Sequence, residues 1–562
     1  MASESLNSSQ EDVHGRQQHS VGSNTQQASP GNPYATQAAA GAAAARVLFP
    51  LGYKEGFSQW WARLPAAVAE HKVLSYLPYL HHQPPTHLQT GNTAEFPDGA
   101  TPSSLETADH NQKGEVSTSS LDDPYGPRRW RSSMVELSGK DRALNEFSVE
   151  RVGEEADQHL VMLHGYGAGL GFFYKNFEPL SRLKGWQLHA LDMLGMGRST
   201  RPAFKIKAKE REQAIREAEA WFVDALEEWR IKRKIDRFTL LGHSLGGYMA
   251  VAYALKYPGH LNKLILASPV GIPEDPYAVT ADVAEPSPST LPNELAHDQR
   301  DITASSAIPP TVPPTTDGSF ITGRQPLPPD APPTAPAPRR ALPKWFAYLW
   351  EANISPFSLV RWAGPLGPRL VSGWTSRRFS HLPAEEAKAL HDYSYSIFSL
   401  RGSGEYALAY VLAPGAFARS PLIHRIHGLG RQIIQNNTNV LPGPTSAATS
   451  STSETTPAST ANSSSDASPR RENGLPVVFM YGDHDWMDVS GGHAAAARLE
   501  EEKRKVLQNA TPEEKRADEG SSKVVVVKRA GHHLYLDGWE EFNSIVLAEM
   551  EEVNKRERNR QS

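Results

Sequence analysis

A serine between glycines is the strongest chemical signal in this sequence. The run G-H-S-L-G-G spans Gly242 to Gly247, after the apolar stretch Phe238 to Leu241 and before a helix-like segment. A nucleophile on a sharp strand-to-helix turn needs small residues two positions before and after it, because larger Cβ groups would clash where the chain reverses. The pattern therefore predicts Ser244 as a nucleophile, with the helix behind it offering N–H groups to a developing oxyanion.

A glycine-rich turn follows an earlier apolar strand. The run H-G-Y-G covers His164 to Gly167, directly after the predicted strand His159 to Leu163. Glycines there let the backbone approach an acyl carbonyl, so we expect the amides of Tyr166 and Leu245 to form an oxyanion hole. Taken alone, the turn is also typical of an ordinary connection between a strand and a helix.

Three aspartates follow the predicted strand Pro476 to Tyr481, and one of them is expected to orient the catalytic base. A serine hydroxyl is a poor nucleophile without a base and a carboxylate behind that base. In a fold with the chain order serine, acid, histidine, the acid comes after a strand. We select Asp485 as the acid, with Asp488 as the competing candidate and Asp483 as a turn cap.

The histidine candidates stand after the next predicted strand, Lys523 to Lys528. His532 comes directly after a small Ala-Gly pair, a position that suits the general base. His533 is expected to be an ordinary surface histidine. Serine, acid and base thus occur in one order along the chain, each after a predicted strand.

The elements that must position these residues alternate between strand and helix. Apolar strands and amphipathic helices take turns from about residue 130 to 273 and again after residue 474. This alternation predicts an α/β fold with a mostly parallel sheet and helices on both faces. The segment between the two parts, residues 343–435, is helical and rich in aromatics, so it predicts a cap.

The remaining length is polar and low in complexity. Segments rich in Ser, Thr, Pro and Asn bury too little apolar surface to offset their ordering entropy. The predicted organisation is a leader (1–45), an amphipathic Trp-containing segment (46–80), a linker (81–129), the first part of the core (130–273), a Pro-rich insert (274–342), the cap (343–435), a Ser/Thr-rich insert (436–473) and the second part of the core (474–562).

Composition excludes several classes of function. The 562 residues carry a formal net charge of −5 and no cysteine. A near-neutral balance argues against a polycation that binds nucleic acid, and the missing cysteines exclude disulfides, thiolate metal sites and a cysteine nucleophile. No apolar run is long enough to predict a transmembrane helix. We expect no metal and no organic cofactor.

These motifs together resemble an α/β-hydrolase family that holds the lysophosphatidic acid acyltransferase-like lipid regulators and the yeast mitochondrial cardiolipin-specific deacylase. The matching stretches are His164 to Gly167, Leu191 to Ser199, Gly242 to Gly247, Ala363 to Pro368, Tyr481 to Asp488, and His532 to Asp537 followed by Glu540 to Asn543. Some members of this family carry Asn at the position of Ser244 and act as lipase co-activators. The serine in this chain favours a competent enzyme.

The resemblance also implies an acyltransferase signature, His-x-x-x-x-Asp, met here by His532 and Asp537. A second interpretation explains the aspartate without a dedicated acyltransferase role. The run from Asp537 to Glu540 has the spacing of a helix capping box, in which a carboxylate suits the helix N-terminus. His532 is already accounted for as the predicted base.

Trp60 and Trp61 lie on a short amphipathic stretch interrupted by Pro65. Two short helices are predicted there rather than one. Such a stretch is typical of a segment that lies on a membrane surface, and packing on the domain is the equal alternative. By resemblance, the location is the mitochondrion, peripheral on the membrane, with a lipid droplet or the cytoplasm as the alternative.

The sequence predicts a serine acyl hydrolase for membrane phospholipids that can also pass the acyl group to a lysophospholipid, since only the acceptor differs. A cardiolipin substrate follows from the resemblance only. One rival is a non-catalytic scaffold that co-activates a lipase at a lipid droplet or membrane. The other is a soluble hydrolase of small esters or peptides. The sequence does not identify protein partners. We expect no nucleic-acid partner.

Overall fold

A nine-stranded sheet forms the centre of the computed structural model, which describes residues 50–80, 115–274, 350–413, 417–434 and 471–561. The strands are β1 (Glu115–Ser117), β2 (Arg128–Glu136), β3 (Ala143–Arg151), β4 (Gln158–Leu163), β5 (Trp186–Leu191), β6 (Phe238–His243), β7 (Leu261–Ala267), β8 (Pro476–Gly482) and β9 (Ser521–Val527). Their order is β1-β2-β3-β5-β4-β6-β7-β8-β9.

The first three strands form an antiparallel edge, and β3 pairs antiparallel with β5. From β5 onward all neighbours are parallel. Strands β4 and β6 to β8 are buried apolar runs, as expected for strands covered on both faces. The predicted mostly parallel α/β sheet is confirmed, and its carboxyl edge is where the loops after β4, β6, β8 and β9 meet.

Helices cover the sheet, and those that lie between β7 and β8 in the chain build a cap. They are α1 (Tyr53–Ala62), α2 (Ala66–Leu74), α3 (Tyr174–Leu180), α4 (Arg211–Lys232), α5 (Leu245–Lys256), α6 (Pro356–Trp362), α7 (Gly367–Arg378), α8 (Ala384–Phe398), α9 (Leu408–Val411), α10 (Val489–Gln508), α11 (Pro512–Ala517), α12 (Leu534–Asp537) and α13 (Trp539–Gln561). Helices α6 to α9 form the predicted cap. None of the helices in the described ranges is long and apolar enough to cross a membrane.

Two predicted boundaries are wrong. The linker predicted to run to residue 129 ends earlier, because β1 pairs with β2 and β2 itself begins at Arg128. The second insert, predicted to end at 473, has rejoined the fold by residue 471. There Arg471 forms an isolated antiparallel β-bridge with Ile433. The Glu472 carboxylate accepts hydrogen bonds from the backbone N–H groups of Gly259 and Gln432. The leader, and most of the linker and of both inserts, lie outside the described residues.

The predicted pair of short helices around Pro65 is confirmed, and the second helix is built into the domain. On α2, the fully buried Glu70 pairs with Arg198 at 2.6 Å. The same carboxylate accepts hydrogen bonds at 3.1 Å from the Asn145 amide and from the Tyr393 hydroxyl. Burial raises the pKa of Glu70, against the opposing effect of Arg198. One carboxylate therefore ties α2 to the sheet, to the loop after β5 and to cap helix α8.

Removing this carboxylate should destabilise the whole domain. We expect Glu70→Ala to lower the free energy of unfolding by about 3–5 kcal/mol, because it leaves the buried Arg198 guanidinium without its paired carboxylate. Glu55→Ala, on the exposed surface of α1, is the matched control and should change it by less than about 0.5 kcal/mol. Urea unfolding measures both. Equal effects of the two substitutions would contradict the assigned role of Glu70.

Candidate active site

Ser244 stands between β6 and α5 in a strained backbone conformation. Its φ of 52° and ψ of −115° lie outside the regions that a non-glycine residue ordinarily adopts. The turn closes tightly, since a Cβ on Gly242 would come within 2.4 Å of the Gly246 carbonyl oxygen. The structure thus contains the sharp turn that the glycine spacing predicts, and its serine is presented at the carboxyl edge of the sheet.

His532 and Asp485 meet beside this turn. The His532 Nδ1 lies 3.1 Å from Asp485 Oδ1, with the carboxylate side chain fully buried. The backbone N–H of Met487 donates to the same oxygen at 3.0 Å, and the Ser268 hydroxyl donates to the other carboxylate oxygen. The sequence analysis did not predict Ser268. Its position directly after β7, at the carboxyl edge of the sheet, could have indicated that it lies near the site.

These contacts keep Asp485 ionised. Burial alone would raise the pKa of its carboxyl, but the neighbouring His532 and the hydrogen bonds from His532, Ser268 and Met487 outweigh burial and lower it. A carboxylate in this state can hold an imidazole in one orientation and stabilise its protonated form.

The two other aspartates of this loop have local backbone roles. Asp488 caps α10, where its carboxylate accepts from the Ser490 N–H at 2.8 Å. Asp483 accepts from the backbone N–H groups of Arg529 and Ala530 at 2.9 and 3.0 Å, as a turn-capping residue does. Of the three, Asp485 is the one the structure places against His532.

The loop after β4 lies directly against the serine. A Cβ built on Gly165 would stand 2.8 Å from His243 Nδ1 and 3.0 Å from Ser244 Cβ, so a larger residue would require these groups to shift. Tyr166 and Leu245 line the same cavity as Ser244. Leu245 is the first residue of α5, where backbone N–H groups lack partners within the helix. The structure thus brings together both residues predicted for the oxyanion hole.

Two buried side chains hold this loop in place. His164 Nδ1 donates to the Gly165 carbonyl at 2.7 Å, and its Nε2 accepts from the Met193 N–H at 3.1 Å. Burial lowers the pKa of His164 to about 4, so the ring is neutral at pH 7. The Asp192 carboxylate accepts from the Leu170 N–H at 2.7 Å. The loops after β4 and β5 are therefore fastened to each other.

A cavity of about 560 Å³, including its mouth, joins these residues under the cap. Core and cap both contribute to its lining: Tyr166, Gly167, His243, Ser244, Leu245, Val270, Phe357, Trp374, Phe398, Leu408, Leu412, Trp486, His532 and His533. Most of these side chains are apolar or aromatic. The cavity is therefore mostly apolar, with polar groups only near Ser244 and the histidines. Such a lining suits a hydrophobic acyl group.

His533 is buried and lines this cavity, so its assignment to the surface is wrong. The turn into α12 carries it inward, between the rings of Phe172 and His243. His243 in turn donates from Nε2 to the His532 carbonyl at 2.9 Å. Burial lowers the pKa of both His243 and His533 well below the usual histidine range. The residue before Ser244 thus holds the backbone of His532.

Asp537 does not cap the last helix, so the capping-box interpretation is wrong. Helix α13 begins at Trp539, and the Phe542 N–H bonds to the Gly538 carbonyl. The Asp537 carboxylate turns back instead and accepts from the Gly531 N–H at 3.1 Å. It also pairs with Arg378 of cap helix α7 at 3.4 Å. Asp537 therefore braces the turn before His532 and ties that turn to the cap.

No group of three or more acidic, histidine or cysteine side chains in the described part of the chain could hold a metal ion. The chemistry that this arrangement offers is that of a serine, a histidine and a carboxylate at the edge of a parallel sheet. The fold, the strained serine turn and the chain order of the three residues are those of α/β hydrolases.

Comparison with known proteins agrees with that fold. The family model for the α/β hydrolase fold matches residues 158–299. The 1-acylglycerol-3-phosphate O-acyltransferase ABHD5 of Mus musculus is 32% identical over 308 residues, which cover 54% of this chain and 68% of that protein. This chain belongs to the α/β-hydrolase family.

Other members of the family that this chain resembles also bear lipid-related names. A 1-acylglycerol-3-phosphate O-acyltransferase of Arabidopsis thaliana is 35% identical over 53% of this chain, which spans only 58% of that relative's length. A human (lyso)-N-acylphosphatidylethanolamine lipase is 26% identical, with 69% of this chain and 77% of the lipase covered. Among solved structures, a Bacillus subtilis carboxylesterase has 15% identity and a TM-score of 0.34, covering 75% of this chain and 90% of that one.

The buried neutral His164 makes stability depend on pH. Its pKa is about 4 in the folded protein and about 6.5 when unfolded. Its contribution is therefore complete above pH 6.5 and is lost as the pH falls toward 4. We expect His164→Gln to reduce the slope of unfolding free energy against pH by about 1.4 kcal/mol per pH unit in this window. Urea unfolding at about pH 6, 5.5 and 5 measures the slope.

His493→Gln, at an exposed histidine on α10, is the control for this experiment and should leave the slope as in wild type. Parallel curves for wild type and His164→Gln would show that His164 titrates normally in the folded protein. That result would contradict its assignment as a neutral ring held between two backbone groups.

Proposed function

We propose that this protein is a serine acyl hydrolase acting on membrane phospholipids, which also transfers acyl groups to lysophospholipids. The hydrogen bond between His532 Nδ1 and Asp485 is the observation that carries the proposal. It leaves Nε2 of His532 as the ring atom that can serve Ser244, which lines the same cavity. Nucleophile, base and acid then act as one unit.

The reaction follows from these positions. The Ser244 Oγ attacks the ester carbonyl carbon while His532 Nε2 takes the hydroxyl proton. The amides of Tyr166 and Leu245 stabilise the oxyanion, and Asp485 stabilises the imidazolium. Collapse expels the leaving alcohol, which takes the proton from His532 and leaves an acyl ester on Ser244. Water or an acceptor hydroxyl then releases the acyl group by the same steps in reverse.

The substrate class rests on the cavity and on the relatives. Its aromatic and aliphatic lining suits an acyl chain better than a small polar ester. The relatives' names mention acylglycerol phosphate and N-acylphosphatidylethanolamine. Neither of these two names mentions cardiolipin or an organelle, so cardiolipin and a peripheral mitochondrial location stay predictions from the resemblance. Asp537 is proposed to position the His532 turn rather than to bind an acceptor.

Contact with a membrane is the second part of the proposal. Tyr53, Phe57 and Trp61 follow one another at helical spacing on α1 and are 70, 51 and 74% exposed. Helix α1 packs against the cap, where Gly56 meets the backbone of Pro365. Exposed aromatics on a short amphipathic helix favour the boundary between headgroups and acyl chains. The amphipathic segment predicted at residues 46–80 therefore has two parts. Helix α2 packs on the domain, and α1 exposes aromatic side chains to solvent.

A non-catalytic lipase co-activator is the alternative function. The exposed aromatic face of α1 would serve a scaffold on a lipid surface equally well. A scaffold has no need of an ionised Asp485 held against His532 beside a strained serine, and such strain persists mainly where function requires it. The proposed enzyme therefore explains contacts that the scaffold leaves without a purpose.

Labelling with a fluorophosphonate tests the nucleophile. We expect wild type to react and Ser244→Ala to lose labelling completely, because the probe forms a bond to an activated serine oxygen. Ser268→Ala keeps Ser244 but loses one hydrogen bond to Asp485, so it should still label, although more slowly. Labelling of Ser244→Ala at the wild-type level would disprove the assignment.

Replacing each aspartate distinguishes the two acid candidates. Asp485→Asn should lower kcat by about 10³–10⁴-fold, because the amide no longer stabilises the imidazolium. Asp488→Asn changes a helix cap and should lower it less than about threefold at unchanged folding. Hydrolysis of a short-chain nitrophenyl ester measures kcat. A greater loss in Asp488→Asn would transfer the role to that residue.

Liposome flotation tests the membrane contact. We expect Phe57→Ala/Trp61→Ala to lower the bound fraction at least about tenfold, because both rings lose burial among the lipids. Ile231→Ala removes an exposed apolar side chain from α4 and should bind as wild type. Unchanged flotation of the double variant would refute a role for α1 at the membrane.

A further inference from the structure

The cap contacts the loop after β4 at two consecutive residues, Tyr166 and Gly167. The Phe357 ring, on cap helix α6, stacks on the Tyr166 ring with 4.8 Å between the ring centroids and 15° between the ring planes. A Cβ built on Gly167 would lie 3.4 Å from Phe357 Cζ and 3.6 Å from Phe398 Cζ, so both cap rings pack against this glycine. Aromatic side chains of the cap therefore cover the part of the loop that is predicted to bind the oxyanion.

The N-terminal end of α6 adds a polar contact to the same tyrosine. Ser355 precedes α6 as its capping residue, and its hydroxyl oxygen accepts from the Phe357 N–H at 3.2 Å. The hydroxyl groups of Ser355 and Tyr166 lie 3.4 Å apart, within hydrogen-bond distance. One end of α6 therefore holds Tyr166 both by its ring and by its hydroxyl group.

Phe357 is itself fixed within the cap. Its side chain is buried, and its ring stacks on the ring of Phe398, the last residue of α8, with 4.3 Å between the centroids and 19° between the planes. Arg361, one turn further along α6, donates to the Phe398 carbonyl at 3.4 Å. Stacked aromatic pairs contribute more than the burial of their area alone. The three rings form a column that runs from the cap to Tyr166.

The position of the Tyr166 backbone N–H matters for the rate of the reaction. Within the described ranges, no acceptor takes this N–H. A donor to an oxyanion is effective only at about 2.7–3.1 Å from the position that the charged oxygen will occupy. Misplacing a group of an active site by about 1 Å can lower the rate about 10²-fold. Because the ring and the amide of Tyr166 share one Cα, a contact that fixes the ring also restrains the direction of the N–H.

We propose that cap helix α6 positions the oxyanion hole, with Phe357 as the positioning residue for the Tyr166 amide. The proposal rests on the proposed function, in which that amide stabilises the oxyanion formed at Ser244. The cap then contributes to the chemical step as well as enclosing the acyl chain. Loss of the Phe357 ring leaves Tyr166 free to turn, so the transition state loses more stabilisation than the bound substrate does.

A matched pair of inhibitors measures the oxyanion hole separately from binding of the chain. With a long-chain alkyl trifluoromethyl ketone, Ser244 Oγ adds to the carbonyl carbon, its proton passes to His532, and the carbonyl oxygen becomes an oxyanion. The alcohol of the same chain length binds without forming an oxyanion. Hydrolysis of a nitrophenyl ester by purified full-length protein gives both inhibition constants. Their ratio, alcohol over ketone, reports stabilisation of the oxyanion.

We expect Phe357→Leu to lower both this ratio and kcat by about 10–100-fold, because the Tyr166 donor is misplaced rather than removed. KM should change by a smaller factor, since the substituted side chain is still apolar. A ratio in Phe357→Leu equal to that of wild type would overturn the positioning role.

Two control variants separate positioning from general effects on the cap. Leu359→Ala, at a side chain of α6 that is 39% exposed, should leave the ratio and kcat as in wild type. Leu412→Ala removes apolar lining from the catalytic cavity and should weaken the ketone and the alcohol by the same factor, so that the ratio stays unchanged. An equal fall of the ratio in Leu412→Ala and Phe357→Leu would assign the effect to the cavity lining and overturn the proposal.

Tyr166→Leu covers the case in which Phe357→Leu does not fold, because it keeps the amide and removes the other ring of the pair. We expect it to lower the ratio to a similar extent, and the double variant to lose no more than the larger single loss, since both substitutions remove one interaction. A wild-type ratio in Tyr166→Leu, or losses that multiply in the double variant, would overturn the positioning role and leave the proposed function intact. Wild type that binds the ketone no more tightly than the alcohol would instead refute the proposed function.

Discussion

The φ of 52° at Ser244 is the constraint on which the rest of the site depends. A non-glycine residue in that conformation carries strain that only the surrounding structure can hold. Here close backbone contacts hold the conformation: Gly242 packs against Gly246, and Gly165 packs against Ser244. The sheet must bring β4 and β6 side by side for these contacts to exist. The parallel pairing of those two strands is thus as much a part of the site as the serine.

Buried polar groups transmit this constraint outward. His164 and Asp192 join the loops after β4 and β5, and Glu70 joins the second of these loops to α2 and to the cap. Asp537 ties the turn before His532 to cap helix α7. Each of these groups has specific partners, so each fixes one arrangement of its neighbours. The cap is therefore attached to the catalytic loops through both α7 and α8.

Sequence reasoning found the elements whose pattern is local. The glycine spacing predicts the turn at Ser244, and the apolar runs predict the parallel sheet. It failed where a long-range contact decides the outcome. His533 is buried because α12 carries it under the cap, and Asp537 pairs with Arg378 of cap helix α7 instead of capping a helix. The choice between Asp485 and Asp488 also depends on which carboxylate meets a histidine 47 residues away, as Asp485 does.

The polar composition of the whole chain does not reveal how its apolar parts are arranged. Core and cap enclose an apolar cavity with one reactive corner, and α1 carries its aromatic side chains outside, next to that cap. The proposed function, in which the substrate comes from a lipid surface, requires both features in one protein.

Trapping the acyl-enzyme tests the central claim most directly. Purified protein is mixed with a phospholipid, quenched in acid within the first turnover and analysed by peptide mass spectrometry. We expect a fatty acyl ester on Ser244 that disappears when water or a lysophospholipid is given time to react. A phospholipid consumed with no acyl group on Ser244, or consumed equally by Ser244→Ala, would contradict it.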